Sequence, residues 1–184
     1  MVPFVVLHNG LQYQNNKTYY NIRIIYSMLS EFIYGGMDGV ITTVAIIAGI
    51  LGADIAPKYA LVLGLASLFA DGFSMGISRY SSLIDMKNKN ISPFFSGIAT
   101  FFSFVFIGSI PLMPFLFIPF NHEDIIKKWM ILCSIIALFI IGVIKGIYTK
   151  KIIKNISEIM VIGLIGVYIS FNVAKYVKSN ILNN

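Results

Sequence analysis

The sequence predicts an all-α fold, an integral membrane bundle of five transmembrane helices, and three observations carry that reading. Hydrophobic residues make up 57% of the 184-residue chain and charged residues only 12%, with a mean hydropathy of +0.81, outside the range of water-soluble domains. Long apolar runs follow one another, each close to the ~20 residues that cross a hydrocarbon core. The connections between them are too short to hold a soluble domain, so no water-facing layer is left for the apolar faces to pack beneath.

Residues 1–25 open MVPFVVLHNG and run on through the polar QYQNNKTYYN. They lack the basic start, apolar core and small-residue cleavage site of a signal peptide, and read as a polar, loosely ordered leader. A transmembrane domain follows over residues 26–178, ahead of a short tail at 179–184. Its helices fall at roughly 31–52, 59–82, 92–117, 129–149 and 156–177. GADIAPK, DMKNKNI, PFNHEDIIKK and KKIIKN join them, where Pro, Asn, Gly and charge break the apolar periodicity. Pro111, Pro114 and Pro119 mark where the third helix kinks and stops.

The net charge of +6 does not indicate nucleic acid, because the basic residues are scattered through the connections rather than gathered on one polar element. They read instead as an orientation signal. Lys17, Arg23, Arg79, Lys87, Lys89, Lys145, Lys150, Lys151 and Lys154 fall on or near the side of the N-terminus, against Lys58, Lys127, Lys128, Lys175 and Lys178 on the other. Nine of the fourteen Lys and Arg thus favour a cytosolic N-terminus, and an odd number of spans puts the C-terminus across the membrane. Cys133 is the only cysteine, which leaves no disulfide framework, thiol pair or structural zinc site. Trp129, with Tyr148 and Tyr168 or Tyr176, reads as interfacial anchoring.

Of the eight acidic residues, Asp54, Asp85, Glu123, Asp124 and Glu158 fall in connections or at helix ends. Glu31, Asp38 and Asp71 fall in or at the margin of the first two spans. A carboxylate at the bilayer centre costs about 2.5–3.5 kcal/mol even on the lenient insertion scale, so a function is the default expectation for such residues. Glu31, Gly35, Asp38, Thr42, Ala45 and Gly49 recur at intervals of four and three, one small or polar stripe of a helix. Gly64, Ser67, Asp71, Met75, Ser78 and Ser82 repeat the pattern in the second helix, where Asp71 and Met75 stack one turn apart. Gly35-x-x-x-Gly39 and Gly72-x-x-x-Gly76 let backbones approach closely, so the two stripes are expected to face one another or a symmetry mate. Met37 adjoins Asp38 but points about 100° away and is left out.

Carboxylates with a thioether suit a borderline cation such as Fe²⁺ or Mn²⁺, oxygen supplying charge and sulfur adding softness against Mg²⁺ or Ca²⁺. Ligand carboxylates shed their protons to take a metal and regain them when it leaves, which makes proton antiport a natural coupling. The candidate metal residues are therefore Asp38, Asp71 and Met75, with Glu31 at the mouth of the path. The competing reading makes the acids packing or assembly residues paired with Lys145, Arg79 or Ser and Thr hydroxyls, and makes Met75 a gap filler. His122, Glu123 and Asp124 read as a solvated cap of the fourth helix, and Lys145 as a side chain snorkelling to the interface. Ser96, Thr100 and Ser103 form one face of the third helix and bond to a neighbour. No Ser, His or Cys arrangement within the spans suggests an enzyme.

At these residues the sequence resembles the vacuolar iron transporter family, over roughly 30–177. The resemblance rests on EFIYGGMDGVITTVAIIAGILGA in the first helix and LASLFADGFSMGISRY in the second. PFFSGIATFFSFVFIGSIPLMP, GVIKG and the helix of Glu158 add to it. It implies a dimeric five-helix transporter that carries cytosolic Fe²⁺ or Mn²⁺ into a lumen or out of the cell in exchange for protons. The metal is then substrate, with no resident cofactor. Glu31 and Asp38 match the two acidic positions of the family's first helix, and Asp71 and Met75 match the Asp-Gly-x-Ser-Met form of its second. Many members insert a cytosolic helical domain rich in Glu and Met between the second and third helices. Here that junction is SSLIDMKNKN, carrying only Asp85 and Met86, as in nodulin-like and some bacterial relatives. The alternative function is a non-transporting assembly or regulatory subunit that keeps the fold.

Overall fold

The computed structural model describes residues 9–86, 92–119 and 121–182, with side chains from Met28 to Ile181. Helix α1 runs Asn9–Gly52, α2 Lys58–Asp85, α3 Pro93–Gly108, α4 the single turn Pro114–Phe117, α5 Glu123–Thr149 and α6 Ile152–Val177. A 3₁₀ turn at Ile110–Leu112 joins α3 to α4, and a π turn at Lys178–Leu182 extends α6. No strand occurs among the described residues. Met28–Gly52, Lys58–Asp85, Pro93–Leu112, Glu123–Thr149 and Ile152–Ile181 are each long and apolar enough to cross a bilayer, as the sequence predicts.

Helix α5 begins at Glu123 rather than near 129, taking up part of the expected connection, and α6 at Ile152 rather than near 156; two other boundaries differ more. Helix α1 begins at Asn9, inside the stretch assigned to a leader. Residues 11–34 contain neither Gly nor Pro, so nothing stops a helix nucleated by the apolar span behind them. The third helix, expected over 92–117, ends at Gly108. Pro111 and Pro114 lack the amide that would continue it, and the chain passes through the 3₁₀ turn into α4. Lys87 and Lys89 of the basic junction lie outside the described residues.

Helix α1 is central, packing against α2 and α3 on one side and α5 and α6 on the other, while α3 also carries α2 and α5 carries α6. Ile47, Leu68, Phe104, Leu112 and Met130 form one apolar cluster, and Val40, Ile107, Leu138, Ile141 and Ile159 a second. Both glycine pairs face α3, which corrects the expectation that they bring the two polar stripes together. A Cβ on Gly35 would meet Thr100 and Ser103, and one on Gly39 the backbone of Phe104; Gly76 faces Gly97 and Phe101. The cause lies in α3 itself, whose buried Ser96, Gly97, Thr100, Ser103 and Gly108 are small enough to accept a helix backbone from each side. At the α5–α6 corner, Lys150 adopts φ 57°, and the Lys151 amide donates to the Gly146 carbonyl at 2.9 Å, ending α5 in a left-handed turn.

Candidate functional site

Asp71 stands at the middle of the Lys58–Asp85 span, and Asp38 two residues from Val40, the middle of Met28–Gly52. Both carboxylates thus stand near the middle of their spans, and they lie within electrostatic reach of each other. Both residues are exposed, on a face of α1 and α2 that none of the described residues covers. Ser67 donates its hydroxyl to Asp71 Oδ2 at 2.5 Å, and Ser74 and Ser78 continue the exposed polar face of α2. Among the described residues, no cationic side chain pairs with either carboxylate. Like charges at this depth without a counter-charge are disfavoured by an apolar medium, and a cation or a polar cover relieves them. Met75, half-buried one turn from Asp71, also packs against the apolar cluster of Leu68 and Phe104.

Glu31 lies two turns from Asp38, about 10 Å along α1, and belongs to a different junction. It is only 7% exposed. Arg79 of α2 closes over it, donating from Nε to Oε1 at 2.7 Å and pairing Nη2 with the same oxygen. Thr100 of α3 gives its hydroxyl proton to the Ser96 carbonyl at 2.9 Å and Ser103 gives its own to the Thr100 carbonyl at 3.1 Å, so their oxygens stand 3.5 Å from Oε2 and 3.4 Å from the Glu31 carbonyl with no second proton to donate. The structure thus brings Asp38 and Asp71 together with Met75 alongside, and holds Glu31 apart in an ion pair that the sequence offered only as a competing reading.

Lys145 departs from expectation. It is 8% exposed rather than snorkelling, and it donates to Glu158 of α6 at 3.1 Å with its ammonium 5.8 Å from the Tyr34 ring centre. Gly142 and Gly146 let Ile156 and Ile152 of α6 approach closely, which brings Glu158 within reach from inside α6, not from a helix end. Glu158 is legible only as the mate of a lysine at matching distance from the α5–α6 corner. At the opposite end of the bundle, Lys178 pairs with Asp54 at 3.2 Å. Glu123 and Asp124 occupy the first turn of α5, and His122 makes no side-chain cap bond there. No group of three or more His, Cys, Asp or Glu gathers among the described residues, so a single chain presents Asp38, Asp71 and Met75 as a partial donor set.

The fold and site define a class: a five-span helical membrane protein that holds a carboxylate pair at mid-span on an uncovered face. The model of the VIT family matches residues 29–90 and 81–175, and the chain belongs to that family. Residues of the chain are 44% identical over 54 positions to the vacuolar iron transporter of Plasmodium berghei (strain Anka), covering 29% of the chain and 20% of that protein. The vacuolar iron transporter of Toxoplasma gondii (strain ATCC 50861 / VEG) is 46% identical over 56 positions, 30% of the chain and 18% of that protein. Vacuolar iron transporter 1 of Eucalyptus grandis is 31% identical over 108 positions, 58% of the chain and 39% of that protein. The matched stretches span less than half the length of these relatives. No solved structure matches the chain significantly.

Proposed function

We propose that the chain transports a divalent transition metal, Fe²⁺ or Mn²⁺, out of the cytosol in exchange for protons, along a path formed by Asp38, Asp71 and Met75 with Glu31 at its mouth. The observation that carries the reading is the pair of mid-span carboxylates with no counter-charge among the described residues. A passing divalent cation stabilises both at once. Met75 adds a soft donor one turn away, and the Ser67, Ser74 and Ser78 hydroxyls can replace part of the ion's water. Protons take the cation's place on the carboxylates when it leaves, which supplies the coupling. The relatives' name, vacuolar iron transporter, supports iron as cargo.

The uncovered acidic face supports a homodimer. A second copy laid across α1 and α2 by a two-fold axis would double the donors and shield them from lipid. The bias of basic residues supports a cytosolic Glu31 end. The reading of a non-transporting subunit gains from the Glu31–Arg79 pair, but it leaves Asp38 and Asp71 with no role that outweighs their cost. Uptake of Fe²⁺ and Mn²⁺ into proteoliposomes, with Mg²⁺ and Ca²⁺ as competitors, tests the proposal. It requires transition-metal uptake that rises with an imposed proton gradient; uptake equal to that of protein-free vesicles overturns it.

A further inference from the structure

We infer that Arg79 is a tethered cation occupying the cargo's place at Glu31, and that it thereby sets how much metal the mouth of the path takes up. The inference rests on the transport reading above. The guanidinium meets Oε1 from both Nε and Nη2. The parallel fork, one N–H to each carboxylate oxygen, is the stronger arrangement of such a pair, and these two contacts do not form it. Among the described residues Oε2 meets no donor nearer than the Thr100 hydroxyl at 3.5 Å, whose proton goes to the Ser96 carbonyl, so a buried carboxylate retains acceptor capacity. The Arg79 side chain is 33% exposed and that of Glu31 8%, which makes the guanidinium the lid between the carboxylate and the outside. Arg79 also stands one turn beyond Met75 and two beyond Asp71 on α2. An ion that displaces it therefore arrives beside the next donors of the path.

Metal and guanidinium then compete for one carboxylate, and the apparent affinity for metal falls by the fraction of time the pair is open. The rival account is a staple between α1 and α2 whose loss merely loosens the bundle. Mn²⁺ binding to the full chain in detergent, counted from the loss of the free-ion electron paramagnetic resonance signal, separates the two, alongside Mn²⁺ uptake into proteoliposomes. Arg79→Gln should bind Mn²⁺ about tenfold more tightly if the native pair is closed about nine-tenths of the time. The uptake KM should fall in step, and Glu31→Gln combined with Arg79→Gln should lose the gain. Glu31→Gln alone leaves a free guanidinium beside the path and should weaken binding severalfold. If Arg79→Gln fails to fold, that variant decides. Binding unchanged in Glu31→Gln and unchanged or weaker in Arg79→Gln overturns the inference, as does absence of Mn²⁺ binding in every variant. If the wild type binds Mn²⁺ but moves none, the transport reading fails, and the binding comparison still decides the role of Arg79.

Discussion

Asp38 and Asp71 are costs to the fold that a working transporter has reason to keep. Asp38→Asn and Asp71→Asn each remove an intramembrane charge and should leave the melting temperature in detergent unchanged or higher, while metal uptake falls at least about tenfold. A parallel loss of stability and uptake would make the carboxylates structural. Lys145 and Glu158 behave in the opposite way. Glu158→Gln strands a buried ammonium and should destabilise the bundle by about 1–3 kcal/mol, below the figure for a fully enclosed pair, because the Glu158 side chain is 43% exposed. Replacing both by Met should recover most of that loss, and equal melting of the single and double variants would refute the pairing. At this scale Asp38, Asp71 and Met75 were legible because helical periodicity and membrane depth are local properties of a sequence. Arg79 and Lys145 were legible as cations that could pair with the acids, but which acid each takes was not, since Arg79 lies 48 residues from Glu31 and tertiary packing decides the encounter.

At the level of elements, α3 organises the half of the bundle that bears the site. It holds the Gly35–Gly39 edge of α1 on Thr100, Ser103 and Phe104, and the Gly72–Gly76 edge of α2 on Gly97, Phe101, Phe104 and Val105, and so fixes how far apart Asp38 and Asp71 stand. A Cβ on Gly76 would come within 2.9 Å of the Gly97 carbonyl, so Gly76→Val should cost about 1–3 kcal/mol by overpacking, read as a lower melting temperature. Gly166, whose nearest neighbour would be Ile41 at 3.9 Å, should accept Ala with little change. Equal melting of the two variants would contradict the packing described. The glycine spacing announced close helix approach correctly but could not name the partner, which depends on where Ser96, Gly97, Thr100 and Ser103 sit in space. The break in α3 was half legible: Pro111 and Pro114 marked it, but the helix stops before reaching them because its last carbonyls lose their donors in advance.

For the molecule as a whole, an acidic face turned outward needs cover, and a second copy is the cover proposed. Ser74 lies on that face, and a Ser74→Cys variant in a Cys133→Ser background should form a disulfide-linked dimer on oxidation in native membranes. A monomeric product from Ser74→Cys alongside an efficient dimer from a cysteine at Leu164, on α6, would place the contact elsewhere and leave the acids facing lipid. The five-span architecture was readable from composition and run length, because a bilayer demands them of any chain that crosses it. The exposure of the acids was not readable, since periodicity gives a helix its faces but not the neighbours they meet.

The central claim is that Asp38 and Asp71 together carry metal across the bilayer. Proteoliposomes holding the wild type or an Asp38→Ala, Asp71→Ala double variant, folded to the same extent and facing an imposed proton gradient, test it most directly. The wild type should take up Fe²⁺ and Mn²⁺, with vesicle pH changing in step, and the double variant should match protein-free vesicles. Equal uptake by the two proteins would contradict the claim.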